Sequence, residues 1–172
     1  MPKILAILIE SVIAVSALWL LSFFSTFLHE FGHALGYMLA TGDRHWHIRV
    51  GWGKRLLNTK ALSVNLLVFD GFFTPSGNKI DTRAKLISTL SGGPVVSLLA
   101  VLGLLALKHG GVCVQSDVLA DGVIEFFINF ALCLNLYILV LSLVPARYFY
   151  GEVKGLETDG LQIIHAMKKP RD

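Results

Sequence analysis

Two histidines and a glutamate in an apolar stretch form the pattern most suited to chemistry. His29, Glu30 and His33 have the spacing His-Glu-x-x-His. On a helix, residues four apart lie one turn from each other on the same face, so both imidazoles can bind one Zn²⁺ ion. The glutamate between them can reach a water molecule at the metal. Ionisable groups among apolar residues usually pair, bind a ligand or line a wet cavity, which favours a metal site over a solvated surface helix.

The composition predicts a membrane protein. Hydrophobic residues make up 54% of the 172 residues and charged residues only 16%, whereas a soluble domain carries about 25% charged residues. We therefore expect residues 1–172 to form one integral membrane domain in contact with the lipid bilayer. Eight of the fifteen Lys and Arg residues lie between Arg44 and Lys85, and five more lie between Arg147 and Arg171. Basic residues that flank apolar spans indicate orientation in the membrane, so we expect no nucleic-acid partner.

Three apolar segments are long enough to cross a bilayer, which takes about 20 helical residues. They cover about residues 4–40, 84–107 and 122–144. The first would be about 55 Å long as one helix, against a hydrocarbon core of about 30 Å, so it must break or project at one end. It also continues far beyond signal-peptide length, which predicts an uncleaved anchor. The expected fold class is membrane α-helical, with a three-transmembrane-helix core.

The segment between the first two spans has a different pattern. Apolar and polar residues alternate over 46–50 and again over 62–66, and residues 51–55 have the composition of a turn. Such alternation predicts strands. We therefore expect a small membrane-associated β-hairpin or sheet over about residues 45–73, lying at the membrane surface.

The distribution of basic residues predicts the orientation of the spans. Cytoplasmic loops carry an excess of Lys and Arg, which places the loop after the first span and the tail 146–172 in the cytoplasm. The N-terminus then lies outside, in a multi-pass protein that we assign to a bacterial plasma membrane. His29 and His33 fall in the inner half of the first span, and the third span ends on the same side.

A catalytic zinc site needs a third protein ligand besides the two histidines, with water in the fourth position. A histidine six residues after His33 is absent, because Leu39 stands there. No glutamate occurs between Glu30 and Glu125, and Glu125 begins the third span at its outer end. Neither of the ligand spacings that soluble metalloproteases use is therefore available.

Asp159 is a candidate on the expected side of the membrane, in the sequence Glu157-Thr158-Asp159-Gly160. An Asp-Gly pair is also common in turns and at helix N-termini. Other acidic and imidazole side chains are expected in the same compartment, although the two histidines among them fit strand positions better. These rivals are Asp43, Asp70, Asp81, His45 and His47.

Three motifs follow one another along nearly the whole chain. His29-Glu30-Phe31-Gly32-His33-Ala34 lies in the first span, Ser91-Gly92-Gly93-Pro94 lies in the second, and Pro145 and then Asp159-Gly160 follow the third. In these motifs and their order the chain resembles the site-2 protease family of zinc intramembrane metalloproteases. The resemblance implies that His29, His33 and Asp159 bind zinc and that Glu30 is the catalytic base. It also implies cleavage of a substrate transmembrane helix or its border, as in regulated intramembrane proteolysis.

The chain departs from that family at positions near the expected substrate. Ser97 stands where family members often carry Asn after Gly-Pro, and Ser142 stands at the Asn of Asn-x-x-Pro; the interval from Pro145 to Asp159 is also long. Asn135 precedes Ser142 by seven residues and therefore lies on nearly the same helix face. The candidates for supporting the substrate or its oxyanion are Gly93, Pro94, Ser97 and Asn135. An interhelical hydrogen bond explains Asn135 better than a catalytic role does.

Small residues recur every four positions at Gly32, Gly36 and Ala40. Such a row lets a neighbouring helix approach closely, and Gly92-Gly93-Pro94 in the second span is the expected partner. Ordinary packing of membrane helices explains these glycines as well as a catalytic role does.

The function expected from these features is that of a zinc-dependent intramembrane endopeptidase with a membrane-spanning protein substrate. Because a helix hides its carbonyl groups in hydrogen bonds, the substrate must unwind locally, and the strands over 46–69 offer an edge for it. Two alternatives remain open. One is a non-proteolytic zinc-binding membrane protein, such as an interaction or immunity factor, and the other is a small metal-ion carrier.

Overall fold

The computed structural model describes residues 3–77, 79–110, 118–149 and 152–168. Within them the elements are α1 (Lys3–Thr41), β1 (Trp46–Asn58), β2 (Leu62–Pro75), α2 (Arg83–His109), α3 (Val118–Leu143) and α4 (Asp159–Lys168). The first three helices are long and apolar enough to cross a membrane, judged by length and composition. The predicted spans and the predicted strand segment therefore exist as elements, although α3 begins four residues before the predicted boundary.

Helix α1 is unbroken over its 39 residues. Its first part, residues 3–16, contains no buried residue, and buried positions begin at Ser22. The sequence left two outcomes for so long an apolar segment, a break or a projecting end. Because α1 is one continuous helix, a break is excluded. The histidine motif lies in the C-terminal half of this helix, where most of its packing occurs.

Helices α1 and α2 approach each other through glycines. A Cβ built on Gly32 would lie 2.8 Å from the carbonyl carbon of Gly92, and a Cβ built on Gly36 would lie 3.0 Å from that of Ser88. Both separations are too short for real side chains, so only glycine permits this contact. The predicted pairing of the small-residue row with the Gly92-Gly93-Pro94 segment is confirmed for Gly32, whereas Gly36 meets α2 one turn earlier, at Ser88.

The two strands form one irregular antiparallel sheet. Val64 of β2 pairs with both Val50 and Leu57 of β1, so β1 bends between those two residues. Gly51 and Gly53 have φ angles of 77° and 85° within that bend, a region that residues with a Cβ rarely adopt. The turn predicted here is thus a bend inside β1, and the chain reverses into β2 only after Asn58.

Strand β2 lies alongside α1 over much of the length of that helix, and the predicted position of the sheet at the membrane surface stays a prediction. The Trp19 indole N–H donates a hydrogen bond to the Leu66 carbonyl at 2.7 Å. Farther along, the rings of Tyr37 and Phe73 lie with centroids 5.8 Å apart. From residue 19 to residue 37 these contacts follow about 27 Å of the helix, at about 1.5 Å per residue.

An aromatic row on α1 accounts for this position of the sheet. Trp19, Phe23, Phe27 and Phe31 recur every four residues, and successive rings stack with centroids 5.8 to 5.9 Å apart. A helix places residues at this spacing on one face. The row packs against a buried cluster that joins α1 to the sheet and comprises Ala34, Ile48, Val50 and Val68.

Residues 146–149 and 152–158 between α3 and α4, here called the 146–158 hairpin, bring the chain back towards α1. The Thr158 N–H donates to the Ala146 carbonyl at 3.0 Å, and an isolated β-bridge joins Arg147 to Glu157. The Thr158 hydroxyl donates to the Val144 carbonyl at 2.7 Å and accepts a hydrogen bond from an N–H in the first turn of α4. Thr158 thus caps α4 and ties it to the end of α3.

Candidate metal centre

His29 and His33 face the same side of α1, as their spacing predicts. Their rings meet edge to face with centroids 4.9 Å apart. The two Nε2 atoms are 3.3 Å apart, and the side chains are only 5% and 6% exposed. The helix alone therefore directs two imidazole nitrogens at one point.

Asp159, the first residue of α4, completes this arrangement from a distant part of the chain. Its Oδ2 atom lies 3.4 Å from His29 Nε2 and 3.3 Å from His33 Nε2. The three atoms form a nearly equilateral triangle. The structure thus assembles the buried group His29, His33 and Asp159, which could hold a metal ion.

A hydrogen bond lies behind each ring, and the one behind His33 fixes which of its nitrogens carries the proton. His33 Nδ1 lies 2.9 Å from the Thr89 carbonyl oxygen, which can only accept, so Nδ1 carries the proton. The Nε2 atom of neutral His33 then presents a lone pair to the centre. On the other ring, His29 Nδ1 lies 2.8 Å from the Ser97 hydroxyl oxygen. Partners of this kind orient the histidine ligands of metal sites and fix their tautomers.

The electrostatics of Asp159 favour a carboxylate. Burial raises the pKa of Asp159, but the hydrogen bonds and charges of His29 and His33 outweigh burial and lower it. Those charges belong to the protonated rings. When both Nε2 atoms are deprotonated, as metal binding requires, two nitrogen lone pairs and an anionic oxygen converge within 3.4 Å. Such a group of acceptors is stabilised by a shared cation.

A cavity of about 420 Å³ opens on this group, and Glu30 lies in its wall. The Glu30 residue is 8% exposed. Strand β2 approaches it closely, because a Cβ built on Gly71 would lie only 2.5 Å from Glu30 Cγ and 2.6 Å from Oε1. The glutamate of the motif is therefore beside the triad and in contact with a space that can hold another molecule. The aromatic residues Phe72 and Phe73 line the same cavity.

Gly93 and Ser97, two of the predicted support residues, lie behind the histidines. A Cβ built on Gly93 would lie 2.6 Å from His33 Cε1 and 2.8 Å from Cδ2, so glycine makes room for the ring. Ser97, only 1% exposed, contacts His29. Neither residue lines the cavity. In this structure they contact the two imidazole rings of the candidate metal centre, and their roles towards a substrate stay predictions.

Pro94 and Asn135, the other two support residues, are also remote from the cavity. Pro94 lies buried inside α2. The Asn135 amide nitrogen donates to the Ser25 hydroxyl at 2.9 Å and to the Ala131 carbonyl at 2.8 Å. This is the interhelical hydrogen bond that the sequence favoured for Asn135.

The rival ligands lie elsewhere in the molecule. Asp43 accepts a hydrogen bond from the Tyr37 hydroxyl at 2.8 Å and pairs with His45 at 2.7 Å. These two partners hold the pKa of Asp43 well below its usual range. The remaining rivals have other partners or none: Asp81 pairs with Lys85, Glu125 with Lys108 and His47 with Ser63, while Asp70 is buried without a hydrogen bond among the described residues.

Two functional positions escaped the sequence reasoning. Thr89 supplies the carbonyl that orients His33, and Thr158 fixes the start of α4 immediately before Asp159. A signal for the first was present, because Thr89, Gly93 and Ser97 recur every four residues on α2 and hence share one face. A Thr before Asp-Gly is likewise a usual sequence for a helix N-cap.

The site therefore combines a group that could hold a metal ion, an adjacent carboxylate and a cavity that reaches both. No protein-family model, curated protein or solved structure matches this chain.

Proposed function

We propose that this protein is a zinc-dependent intramembrane endopeptidase that hydrolyses peptide bonds in or near a substrate transmembrane helix. One observation carries the proposal: His29, His33 and Asp159 converge beside Glu30, on helices long and apolar enough to cross a membrane. An HExxH pair with a distant carboxylate is a ligand set of zinc peptidases.

The donor set and its spacing support zinc. A tetrahedral ion with bonds of about 2.0–2.1 Å separates its ligand atoms by about 3.3–3.4 Å, and the three separations here are 3.3, 3.3 and 3.4 Å. Two imidazoles and one carboxylate suit zinc better than magnesium or calcium, which prefer oxygen ligands. Three protein ligands also leave a fourth position for water or substrate, as catalytic sites require.

In the proposed reaction His29, His33 and Asp159 would hold the ion, which would supply Lewis-acid polarisation of water and of the scissile carbonyl. Glu30 takes a proton from the attacking water as its oxygen bonds to the carbonyl carbon. The same carboxyl group then gives the proton to the leaving nitrogen as the C–N bond breaks. Ser97 and Thr89 keep the imidazoles oriented throughout.

The end of β2 offers a place for an unwound substrate. Residues 71–73 of β2 pair with residues 48–50 of β1, and Gly71, Phe72, Phe73 and Pro75 line the cavity beside Glu30. A peptide added to this strand as a further strand would lie across the site. Backbone hydrogen bonds would hold its main chain in an extended form, which exposes the carbonyl to attack.

We also propose the orientation that the basic residues favour, with the N-terminus outside and the site open to the cytoplasm. Thirteen of the fifteen Lys and Arg residues lie in the 44–85 and 147–171 stretches. The triad lies at that end of the bundle, where Asp159 follows the C-terminal end of α3. Water can then reach the cavity from the cytoplasmic side.

Glu30→Gln tests the proposal. The substitution keeps the size of the side chain and leaves the three ligands, so we expect unchanged zinc content in the purified protein. Cleavage of co-expressed single-span reporter proteins should fall by about 10²-fold or more, the usual contribution of a general base. Glu125→Gln is the matched control. Its exposed carboxyl lies near the N-terminal end of α3, whereas the triad lies near the C-terminal end, so this variant should cleave as the wild type does.

Equal processing by wild type and Glu30→Gln would rule out the protease mechanism. Zinc bound without any processing by the wild type would favour the non-proteolytic metalloprotein. A carrier would instead transport zinc into vesicles in a manner that depends on His29 and His33. Zinc content, reporter cleavage and zinc transport, measured on the wild type and these variants, thus separate the three functions.

A further inference from the structure

Asp70 of β2 is a buried acid that the mechanism above does not use. Asp70 is 5% exposed, and neither of its carboxylate oxygens has a hydrogen-bond partner of good geometry among the described residues. A buried acceptor without a partner is costly, and a charged one more so. Of the described side-chain oxygens and nitrogens, only the Asn135 amide oxygen shares this condition.

The nearest cation does not satisfy Asp70. The Arg49 guanidinium pairs instead with Glu152 of the 146–158 hairpin and with the Gly51 carbonyl. Burial raises the pKa of Asp70, whereas Arg49 and the nearby Glu152 backbone N–H act in the opposite direction without cancelling that effect. The carboxyl group therefore can still accept hydrogen bonds from a cation other than Arg49.

Asp70 faces a small cavity of about 50 Å³ between β2, α1, α3 and the 146–158 hairpin. Glu30 and His29 lie in the walls of both this cavity and the larger one, so the two cavities adjoin each other at the catalytic carboxylate. At about 10–15 Å³ for each water-sized group, the small cavity has room for roughly three to five such groups. It is too small for a large side chain but can take a primary ammonium.

Besides His29, Glu30 and the phenol groups of Tyr137 and Tyr148, the polar lining of this cavity comprises Asp70 and two hydroxyls that act as acceptors. The Thr26 hydroxyl donates its proton to the Val68 carbonyl at 3.3 Å, and the Ser142 hydroxyl donates to the Leu139 carbonyl at 3.0 Å. What both hydroxyls can still offer is an oxygen lone pair. Together with the two oxygens of Asp70, they suit a ligand with several N–H donors and a positive charge.

From this geometry we propose that the cavity at Asp70 is a subsite for the ammonium group of a substrate lysine close to the cleaved bond. Asp70 is three residues before Phe73 on the strand that borders the catalytic cavity, which corresponds to about 10 Å in an extended chain. A substrate strand that follows this edge brings a side chain to Asp70 within about three residues of the site of attack. This subsite rests on the proposed function. It would make the proposed cleavage selective for substrates that carry a lysine near the cleaved bond.

The chemistry of membrane proteins makes lysine a suitable ligand. Cytoplasmic ends of transmembrane helices are enriched in Lys and Arg. Lysine carries a compact ammonium with three donors, whereas the arginine guanidinium is a larger planar group. A subsite of this kind would direct cleavage to the cytoplasmic border of the substrate helix.

Binding of single-span peptides to the purified, metal-free full-length protein in detergent tests the subsite without relying on cleavage. Each peptide of one series carries a single lysine, placed at one of six consecutive positions at the cytoplasmic border of its apolar segment. In the matched series norleucine takes the place of that lysine. We expect the lysine peptide to bind about tenfold more tightly at one or two positions, as a buried charge-assisted hydrogen bond allows. Arginine at the same positions should gain less.

Asp70→Asn should remove the preference, so that lysine and norleucine peptides bind within about twofold of each other. Asp81→Asn is the matched control, because Asp81 is paired with Lys85 at the start of α2 and does not line either cavity. Equal binding of both peptide series by the wild type, or an unchanged lysine preference in Asp70→Asn, would overturn the subsite.

The outcome is separable from that of the protease proposal. Lysine selectivity lost in Asp70→Asn, together with an absence of cleavage by the zinc-loaded wild type, would refute proteolysis and keep the subsite. Cleavage that depends on Glu30 but proceeds equally with lysine and norleucine substrates would refute the subsite and keep proteolysis.

Discussion

Gly93→Ala is the substitution for which the structure gives the most specific expectation. Gly93 lies on α2 directly behind the His33 ring. An added Cβ would lie 2.6 Å from His33 Cε1, whereas ordinary van der Waals contact begins at 3.4 Å. Because His33 Nε2 is nearer still, the ring would have to move by at least about 0.8 Å, which is 3.4 minus 2.6, or α2 would have to move away from α1.

A shift of this size matters because metal–ligand distances tolerate only about 0.2 Å. The hydrogen bond from His33 Nδ1 to the Thr89 carbonyl opposes a simple rotation of the ring. We expect zinc affinity to fall at least by the roughly 10–100-fold that loss of a partner behind a metal ligand causes. Because Ala favours helix formation over Gly by about 1 kcal/mol, lower helix propensity cannot explain such a loss.

Gly103→Ala is the matched control, since a Cβ at Gly103 of the same helix meets nothing within 4 Å. Both variants gain the same helix propensity, but only Gly93→Ala meets the histidine. Zinc affinity is measured by competition with a chromophoric chelator, and folding is checked by circular dichroism and gel filtration in detergent. Equal zinc affinities for two folded variants would show that His33 does not occupy the position described.

Three further predictions concern the neighbours of the site. Ser97→Ala removes the partner of His29 Nδ1, so zinc affinity should fall about 10–100-fold with little change in helix content. Gly160→Ala places a Cβ 2.7 Å from the carbonyl carbon of Leu143, so both thermal stability and zinc affinity should fall as α4 moves. Asp70→Asn replaces a buried carboxylate with a neutral amide that costs less to bury but is still polar, so it should stabilise the protein at pH 7, by about 1 kcal/mol, the lower end of the penalty for an unsatisfied buried group.

The pH dependence of the last effect has a definite sign. Burial raises the folded-state pKa of Asp70, so its charged form is the less stable one in the folded protein. The unfavourable contribution grows as pH rises through that pKa and is absent below the unfolded value, near 3.9. The gain from Asp70→Asn in thermal unfolding should therefore vanish towards pH 4. A gain that is equally large at low pH would contradict this cause.

Exposed or unhindered positions serve as controls for the other two predictions. Ser11→Ala removes an exposed hydroxyl of α1, and Gly122→Ala adds a Cβ that meets nothing within 4 Å. Both should leave zinc affinity and stability unchanged. The reasoning on Ser97 fails if its Ala variant binds zinc as the Ser11 variant does, and that on Gly160 fails if its variant is as stable as the Gly122 variant.

Local spacing in the sequence was sufficient for the helical half of the site. The four-residue interval between His29 and His33 fixes their common face on any helix, and the apolar segments around them predict helices long enough to span a membrane. The same periodicity predicted the contact between the Gly32–Gly36 row and Gly92. These features depend on helix geometry over a few turns, which the chain specifies by itself.

Local spacing in the sequence did not determine the position of the sheet. Alternation over 46–50 and 62–66 predicted strands, but the bend at Gly51 and Gly53 depends on which residues Val64 pairs with. The row from Trp19 to Phe31 then places β2 beside the helix. A sequence pattern gives the face of each element, whereas the choice of neighbour depends on the shapes of both surfaces.

What the sequence by itself determined was the chemistry available: two imidazoles on one helical face, a glutamate between them, and apolar helices to carry them. Only the tertiary structure decided that Asp159, and none of its rivals, meets those imidazoles, because the end of α3 and the Thr158 cap set where α4 begins. It also assigned Ser97 and Thr89 to the rings and left Asp70 facing a cavity. Contacts between residues far apart in the chain depend on how whole elements pack, and no short interval in the sequence encodes that packing.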